Sequence, residues 1–423
     1  MDVNDKNKTE SLPLARLRPP ALVRLTDQSV AMSVVARLVA SGTANTRPAL
    51  VKATGLARST VSSCVSLLQA RGLVVSHAAQ AALGRGRPAE TLAINPDAGT
   101  ILVFDLTPHH VRVALTRMDQ QLLANRRAHF VLDAGPEATL AFAISQARTI
   151  LDELGPDGAA VRAVVTSVPG PVDTKRGMPV RPPIMPGWDR YPIADTLQRE
   201  FGCPCLVDND VNLIALGEAS VLPADQCPML VVKVGTGIGG GLITAEGSLH
   251  HGADGAACDI GHLPVRSNAE MICSCGNINC IEALASAEAI TRRFREATGN
   301  PELTQSDLRA AARVGDPLAI RVIRDAAAVL GEIVAALVHV YNPARIVITG
   351  PLTAVTDDLL AGVRSVAYQR ALPLATRNLT LAHSEIGEMA GVVGAVVLGI
   401  EAILAPASFS ANRPGEVGAA NFQ

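Results

Sequence analysis

The chain has 423 residues, which is too long for one small hydrophobic core and predicts two or three domains. Hydrophobic residues make up 48% and charged residues 18%, a composition that excludes general disorder. The net charge of −2 conceals an asymmetry, because residues 1–95 hold 12 Lys and Arg against 5 Asp and Glu, and the remainder holds 25 against 34. A basic amino-terminal part on an acidic body favours contact with nucleic acid through that part alone.

The composition of both ends predicts tails. Residues 1–20 are polar and contain Pro without an apolar core, so we expect a flexible tail, no secretory signal and a cytoplasmic protein. Residues 407–423 are expected to form a disordered tail. The apolar runs 326–340 and 391–406 each contain a glutamate and fall short of a membrane span, which predicts two buried helices and no membrane partner.

Three apolar-periodic segments follow, at residues 29–41, 47–54 and 57–70. Gly55 separates the second segment from the third, and Gly72 ends the third. Helix, short Gly-containing turn and helix is the layout of a helix-turn-helix. A helical dimerisation module is the alternative interpretation of these three segments.

The third helix begins with short polar side chains, and recognition helices contact bases with their amino-terminal residues. The candidate DNA-contacting residues on this helix are Arg58, Ser59, Thr60, Ser62 and Ser63. Strands predicted at residues 73–75 and 91–94 flank a basic tip with Arg85 and Arg87, which suits a minor groove; a solvated turn is the alternative. Residues 21–94 are therefore predicted to be an α+β winged helix-turn-helix domain that binds operator DNA.

Beyond a linker at residues 95–99, strand and helix patterns alternate, as in an α/β domain. A predicted strand at residues 205–207 ends at Asn209 and Asp210. An amide donates and accepts hydrogen bonds and a carboxylate accepts them, so this pair suits vicinal hydroxyl groups. Capping of the helix that follows is the alternative, and one residue can do both.

A glycine-rich loop follows the buried strand predicted at residues 230–234 and includes Gly235, Thr236, Gly237 and Gly239. Its pattern satisfies Gly-x-Gly-x-x-Gly, but a dinucleotide-binding fold requires a helix next. Residues 242–247 instead predict a strand and a turn. The pattern therefore argues against a dinucleotide-binding fingerprint and leaves a phosphate loop of another fold, with a tight hairpin that binds nothing as the alternative.

The densest cluster of metal-ligand types lies within residues 261–282 and comprises His262, Cys273, Cys275 and Cys280. Three thiolates and one imidazole suit tetrahedral Zn²⁺, and four protein ligands make a site structural. We expect one zinc ion per chain; the alternative is thiols without metal.

The pattern Gly-His-x10-Cys-x-Cys-Gly-x2-Asn-Cys-x-Glu in residues 261–282 resembles the signature of the ROK family (repressors, open reading frames, kinases). That family usually has Gly where this chain has Asn279, and Asn tolerates the left-handed conformation well. The resemblance implies a two-lobed actin-like ATPase (ribonuclease H-like) fold over residues 95–406, with lobe 1 at about 95–207 plus 387–406 and lobe 2 at about 208–386.

The resemblance also implies a set of sugar-binding residues. The turn after the strand at residues 161–168 is similar to the family's Pro-Gly-x-x-Asp turn, and Asp208-Asn209-Asp210 resembles its Asn-Asp element, whose Asp is the general base in kinase members. The family's Glu-x-Gly-His has a shorter Asp here. The implied sugar-binding residues are Gly170, Asn209, Asp210, Asp259, His262 and Glu282.

The nucleotide side departs from the family. Of the Asp-x-Gly-x-Thr phosphate contacts only Asp105 matches, and Pro108 has no N–H to offer a phosphate. Pro351 replaces the second residue of a Gly-Gly pair that contacts adenosine. The loop at residues 235–239 would then be vestigial, and Asp210 is not expected to be catalytic, so the chain is predicted not to be an enzyme.

These observations predict a transcriptional regulator, a repressor of carbohydrate metabolism genes, with a sugar or sugar-derivative effector in a zinc-supported ROK domain. Its expected partners are operator DNA, the effector and further copies of the chain in a homodimer or homotetramer. The alternative is an ATP-dependent, glucokinase-like sugar kinase with an appended DNA-binding module. A zinc-stabilised scaffold without a small ligand is a third interpretation.

Overall fold

The structure is a computed structural model that describes residues 12–17, 27–77, 90–155, 160–267 and 270–410. The helices are α1 (Gln28–Ala40), α2 (Arg47–Thr54), α3 (Arg58–Ala70), α4 (Pro136–Leu154), α5 (Ile193–Phe201), α6 (Asp210–Val221), α7 (Ile281–Ala285), α8 (Ala287–Thr298), α9 (Gln305–Arg313), α10 (Pro317–Tyr341), α11 (Asp358–Arg370), α12 (Pro373–Thr376), α13 (Ala390–Ile403) and α14 (Pro406–Ser410). The strands are β1 (Val74–His77), β2 (Thr91–Ile94), β3 (Thr100–Thr107), β4 (His110–Arg117), β5 (Leu122–His129), β6 (Val161–Val168), β7 (Val172–Asp173), β8 (Met178–Pro179), β9 (Cys205–Asn209), β10 (Met229–Val234), β11 (Ile238–Ile243), β12 (Arg345–Thr349) and β13 (Thr380–His383).

The amino-terminal head consists of α1, α2, α3 and the antiparallel pair β1–β2. The three expected helices form within one residue of the predicted bounds. Asp27 caps α1 by accepting a hydrogen bond from the Ser29 amide at 2.8 Å, and Gly55 ends α2 in the left-handed conformation at φ 68°. The tip between β1 and β2, with Arg85 and Arg87, lies outside the described residues.

Two sheets form the body. The first has the order β5-β4-β3-β6-β9, in which β3, β4 and β5 are antiparallel neighbours and β6 and β9 run parallel to β3. The second has the order β11-β10-β12-β13, with β10 and β11 as an antiparallel hairpin and the remaining pairs parallel. Because carboxyl ends of parallel strands share one edge of a sheet, the loops after β6 and β9 lie together.

Helices α6 and α13 connect the two sheets and lie against each other. Small residues permit this close approach: a Cβ built on Gly217 would lie 2.1 Å from the Ala390 carbonyl oxygen, and one on Gly394 would lie 1.8 Å from that of Leu213. Such distances exclude any side chain at either position unless the backbones move. The amino terminus of α6 is therefore held rigidly relative to α13.

The structure corrects part of each expected tail and adds detail to the expected linker. Residues 12–17 are not part of a free tail, because Ala15 and Leu17 are almost completely buried in the core that the head shares with α13. The expected linker contains a 3-10 turn (Pro96–Ala98), and Asn95 donates a side-chain hydrogen bond to the Gly72 carbonyl at 2.8 Å. Residues 407–410 are not part of a disordered tail, because α14 extends to Ser410, and the rest of that expected tail lies outside the described residues.

The apolar helical region Gly387–Ser410 is long and hydrophobic enough to cross a membrane by length and composition. This region is longer than the apolar run 391–406 identified in the sequence. In the structure 67% of its most apolar window is buried inside the protein, as in a core helix, since its residues pack on β3, β6 and α6.

Candidate functional site

A cleft opens where the loops after β6 and β9 face the β10–β11 hairpin and the segment before α7. All six sugar-site residues expected from the sequence line it, together with three residues of the glycine-rich loop: Gly170, Asn209, Asp210, Asp259, His262, Glu282, Thr236, Gly237 and Gly239. Gly235 does not line the cleft and supports the loop instead, since its carbonyl accepts a hydrogen bond from the Ala287 amide at 2.8 Å. Residues separated by more than one hundred positions in the chain thus converge on one cleft.

The Asn209 side chain makes three hydrogen bonds within the protein besides its place in the cleft. Its oxygen accepts from the Val211 amide at 2.9 Å and from the Asn212 amide at 3.4 Å and so caps α6. Its nitrogen donates to the Gly170 carbonyl at 2.9 Å. The helix cap and the turn after β6 are therefore joined by one side-chain amide, which leaves one donor hydrogen for a ligand.

Asp210 is the first residue of α6 and forms an ion pair with Lys233 of β10. Both are largely withdrawn from solvent, with side-chain exposures of 8% for Asp210 and 25% for Lys233. Lys233 was not among the residues expected from the sequence, although a lysine in the otherwise apolar strand β10 is a signal that could have identified it. Its ammonium group lines the same cleft.

Asp105, near the end of β3, contributes to the same electrostatic cluster. Burial raises the pKa of the Asp105 carboxyl, and the charges of Arg112 and Lys233 act in the opposite direction. Burial also lowers the pKa of Lys233, but the charges of Asp210 and Asp105 outweigh it and hold that pKa above its ordinary value. Lys233 is therefore a permanent cation at neutral pH.

The glycine-rich loop is a hairpin and not the start of a helix, as the strand pattern predicted. One of its amides is already occupied, because the Ile238 N–H donates to Oε2 of Glu282 at 3.1 Å. A Cβ on Gly237 would lie only 2.4 Å from that oxygen. Glycine at this position thus makes room for an internal carboxylate.

The expected metal ligands come together. One donor atom from each of His262, Cys273, Cys275 and Cys280 lies within 4.8 Å of the others. The Sγ atoms of Cys275 and Cys280 are 3.6 Å apart, and Cys273 Sγ is 3.6 Å from His262 Nδ1. Sulfurs at about 2.3 Å from a tetrahedral zinc ion would lie about 3.8 Å apart, so the cluster fits such an ion.

The cysteine loop is shaped for this convergence. Asn279 adopts φ 57°, the left-handed conformation expected for the position where the family has Gly, and its side-chain oxygen accepts a hydrogen bond from the Met271 amide at 2.8 Å. Glu282 Oε1 accepts from the Ser274 hydroxyl at 3.2 Å. Because its other oxygen binds the Ile238 amide, Glu282 joins the cysteine loop to the glycine-rich loop.

The hairpin between β3 and β4, where the resemblance places the family's Asp-x-Gly-x-Thr contacts, is closed by hydrogen bonds within the protein. The Thr107 hydroxyl donates to the His110 carbonyl at 3.0 Å and accepts from the His110 amide at 3.1 Å. The Pro108 and His109 carbonyls accept hydrogen bonds from the amides of Leu132 and Phe130. Only Pro108 of this turn lines the cleft.

Two further groups near the cleft were not foreseen. Asp208 Oδ2 lies 2.7 Å from His251 Nε2, and its Oδ1 accepts from the Asn212 side chain at 2.8 Å. Burial lowers the pKa of His251, and the hydrogen bond and charge of Asp208 raise it above its ordinary value. Cys258 lines the cleft at φ 67°; burial, followed by the Asp259 charge, raises its pKa to about 12, so it is a neutral thiol.

The head presents the polar side of α3 outward. Arg58, Ser59, Ser62 and Ser63 are exposed and Thr60 is half-buried. The opposite side is buried against α1 and α2 through Val61, Cys64, Val65 and Leu68. The five candidate DNA-contacting residues of α3 are thus available to a partner.

Comparison with known families decides the assignment. The protein-family model described as "ROK family" matches residues 102–402 of this chain. The chain belongs to the ROK family. A solved ROK family transcriptional regulator, a homologue of the E. coli MLC protein, superposes with a TM-score of 0.77 at 23% identity and covers 89% of this chain and 98% of that chain. This likeness confirms the expected two-lobed ROK fold.

Two curated relatives match this ROK protein over different lengths. A putative xylose repressor of Caldicellulosiruptor sp. (strain Rt8B.4) is 27% identical over 372 residues, 85% of this chain and 92% of the relative. A glucokinase of Halalkalibacterium halodurans is 35% identical over 222 residues, 49% of this chain and 67% of the relative. The repressor match therefore extends over much more of the chain than the kinase match.

Proposed function

We propose that this ROK protein is a sequence-specific transcriptional regulator, a repressor of carbohydrate metabolism genes, controlled by a sugar or sugar derivative. Residues 21–94 are the proposed DNA-binding domain and residues 95–406 the proposed effector-binding domain. The observation that carries the proposal is a continuous series of contacts that joins the cleft to the head through α6 and α13. A relative named as a repressor matches most of the chain, which supports it.

The series begins at the cleft. Asn209 and Asp210 form the amino terminus of α6 and also line the cleft, so a ligand that contacts them acts directly on that helix. The β11 strand of the glycine-rich hairpin also packs tightly on α6, since a Cβ on Gly239 would lie 2.6 Å from Val211 Cγ2. Both sides of the cleft can therefore move α6.

The second step passes from α6 to the head. Because Gly217 and Gly394 bring α6 and α13 into backbone contact, a shift of one helix displaces the other. The carboxyl end of α13 then contacts α1 of the head. The Ser33 hydroxyl donates to the Leu404 carbonyl at 2.5 Å, and the Arg37 guanidinium donates to the Glu401 carbonyl at 2.9 Å. The orientation of the head is thus tied to the position of α13.

A second contact ties α6 to the amino-terminal segment. The Arg16 amide donates to the Ser220 carbonyl, in the last turn of α6, at 2.9 Å. Gln120 holds the neighbouring Ala15 by both backbone groups, accepting from its amide at 2.7 Å and donating to its carbonyl at 2.9 Å. This segment therefore supplies a further route from effector binding to the head.

In the proposed dimer or tetramer, such movements would change the relative placement of two heads. Dimeric helix-turn-helix proteins bind half-sites separated by about 34–36 Å or multiples of it, so a small rotation weakens binding to both sites at once. The DNA contacts we assign are Arg58, Ser59, Thr60, Ser62 and Ser63 on α3, with Arg85 and Arg87 at the tip. Such a regulator acts in the cytoplasm, where its operator lies.

We assign Zn²⁺ to the cluster of His262, Cys273, Cys275 and Cys280. Four protein ligands leave no open coordination position, so the ion would hold the loop together and supply no catalytic chemistry. Because His262 lines the cleft and Glu282 joins the cysteine loop to the glycine-rich loop, a bound zinc ion would hold both residues in place at the edge of the cleft.

Sugar phosphorylation is the competing function, because a relative named glucokinase matches part of the chain. Two contacts of this chain oppose it. Asp210, the counterpart of the base in kinase members, is paired with Lys233. The hairpin between β3 and β4 contains Pro108, which has no N–H, and its His110 amide already donates to the Thr107 hydroxyl. We therefore propose that the chain binds its effector without phosphorylating it.

The test starts from the full-length protein and operator duplexes selected from a random pool. A panel of sugars, amino sugars and their phosphates is then added to the operator complex, and binding is followed by fluorescence anisotropy. One panel member should change operator affinity in the wild type, and Asp210→Ala should abolish that response while affinity without effector stays near the wild-type value.

Two results would contradict the proposal. One is a protein that selects no duplex at moderate salt. The other is ATP-dependent turnover of the effector in a coupled assay that is lost in Asp210→Ala, which would establish the kinase function.

A further inference from the structure

We propose that Lys233 is an internal cation that neutralises the Asp210 carboxylate in the cleft and so makes the effector site selective for an uncharged sugar over its phosphorylated form. This inference rests on the proposed effector site and adds the charge class of the ligand. It assigns Lys233 a role as a positioning residue for Asp210.

The surroundings of Lys233 carry the first part of the argument. Its ammonium group is paired with Asp210, and Asp105 also acts on it electrostatically. Asp105 lies near the end of β3 and Asp210 begins α6, so the two carboxylates come from different parts of the body. A divalent metal ion that accompanies a bound phosphate takes carboxylate ligands, and the Asp210 carboxylate is already paired with the lysine.

The charges of the cleft lining carry the second part. Among the described residues that line the cleft, Lys233 is the one Lys or Arg, whereas Asp210, Asp259 and Glu282 are all carboxylates. The imidazole of His262 is turned toward the cysteine cluster. With Lys233 paired to Asp210, an anionic ligand would meet carboxylates without a compensating free cation.

The glycine-rich loop supplies the third part. Loops of this kind bind phosphate through backbone amides. Here the Ile238 amide donates to the Glu282 carboxylate, which lies against Gly237 where a Cβ would be 2.4 Å away. An internal carboxylate therefore occupies an amide that a phosphate group would use, and hydroxyl groups, which both donate and accept, fit the remaining carboxylates better.

The pairing is tested first without any ligand, by thermal unfolding of the full chain. Lys233→Met leaves a buried Asp210 without its partner, so it should lower the melting temperature more than Lys175→Met, the same change at an exposed position. Adding Asp210→Asn to Lys233→Met should recover part of the loss. Additive effects of the two substitutions would overturn the pairing on which the inference depends.

The ligand class is tested with named anions. Inorganic phosphate, D-glucose 6-phosphate and ATP should each leave the melting temperature of the wild type and of Lys175→Met unchanged at millimolar concentration. Stabilisation of the wild type by any of these anions that disappears in Lys233→Met would identify Lys233 as an anion receptor and overturn the inference.

The operator assay gives the final comparison. A neutral sugar that changes operator affinity should bind at least tenfold more tightly than its own phosphate, and the reverse order would overturn the inference. If no member of the panel acts on the operator complex, the proposed function fails in that assay, while the unfolding and anion experiments still decide the role of Lys233.

Discussion

Replacing Gly394 by Ala tests whether the contact between α6 and α13 sets the geometry of the protein. A Cβ at this position would lie 1.8 Å from the Leu213 carbonyl oxygen and 2.7 Å from its carbon, whereas ordinary contact begins at 3.4 Å. The two backbones would have to separate by roughly 1.6 Å at this point, because neither neighbour is a flexible side chain.

The magnitude follows from a matched control in the same helix. Gly391→Ala adds the same methyl group, but the atom it would meet is Ile214 Cγ1 at 3.7 Å. Both substitutions gain up to about 1 kcal/mol of helix propensity, and only Gly394→Ala incurs about 1–3 kcal/mol of overpacking. The free energies of unfolding of the two variants should therefore differ by about 1–3 kcal/mol, and Gly394→Ala should be the less stable of the two.

Urea unfolding followed by circular dichroism, together with the fluorescence of Trp188 buried in the first lobe, measures this difference. Gly394→Ala should also alter the effect of the sugar on operator binding, because the helix it displaces carries Asp210 at its amino terminus. Equal urea midpoints for the two variants, with an unchanged effector response, would refute the view that α6 and α13 move as a unit.

Three further predictions are independent of that contact. Arg58→Ala should weaken operator binding and reduce its salt dependence while Arg313→Ala, on the distant α9, should not, and anisotropy at several salt concentrations tests this. Purified protein should contain about one zinc ion per chain by elemental analysis, and Cys275→Ser should lose the ion and broaden thermal unfolding. Burial raises the pKa of the Glu218 carboxyl, so the folded state binds this proton more tightly than the unfolded chain does. The contribution of Glu218 to the free energy of unfolding should therefore fall as the pH rises above about 4.3, the ordinary pKa of a glutamate. Glu218→Gln should flatten that decline in melting temperatures measured over a range of pH. Retained zinc in Cys275→Ser, or an unchanged pH profile in Glu218→Gln, would contradict the respective argument.

The sequence by itself determined what depends on neighbouring residues. His262, Cys273, Cys275 and Cys280 lie within nineteen positions, so their convergence follows from a short loop, and the left-handed Asn279 is a local property of the backbone. The helices of the head formed within one residue of their predicted bounds because apolar spacing and capping act over a few positions. The six residues that the family motifs singled out also line one cleft.

The tertiary structure alone decided the contacts between distant residues. Lys233 meets Asp210 across 23 positions, Glu282 meets the Ile238 amide across 44, and Gln120 holds Ala15 across 105. No local pattern encodes such pairings, because propensity and periodicity describe how a segment folds and not which other segment it meets. For the same reason a polar amino-terminal stretch was expected to be a free tail, although residues 12–17 bury Ala15 and Leu17 against the body.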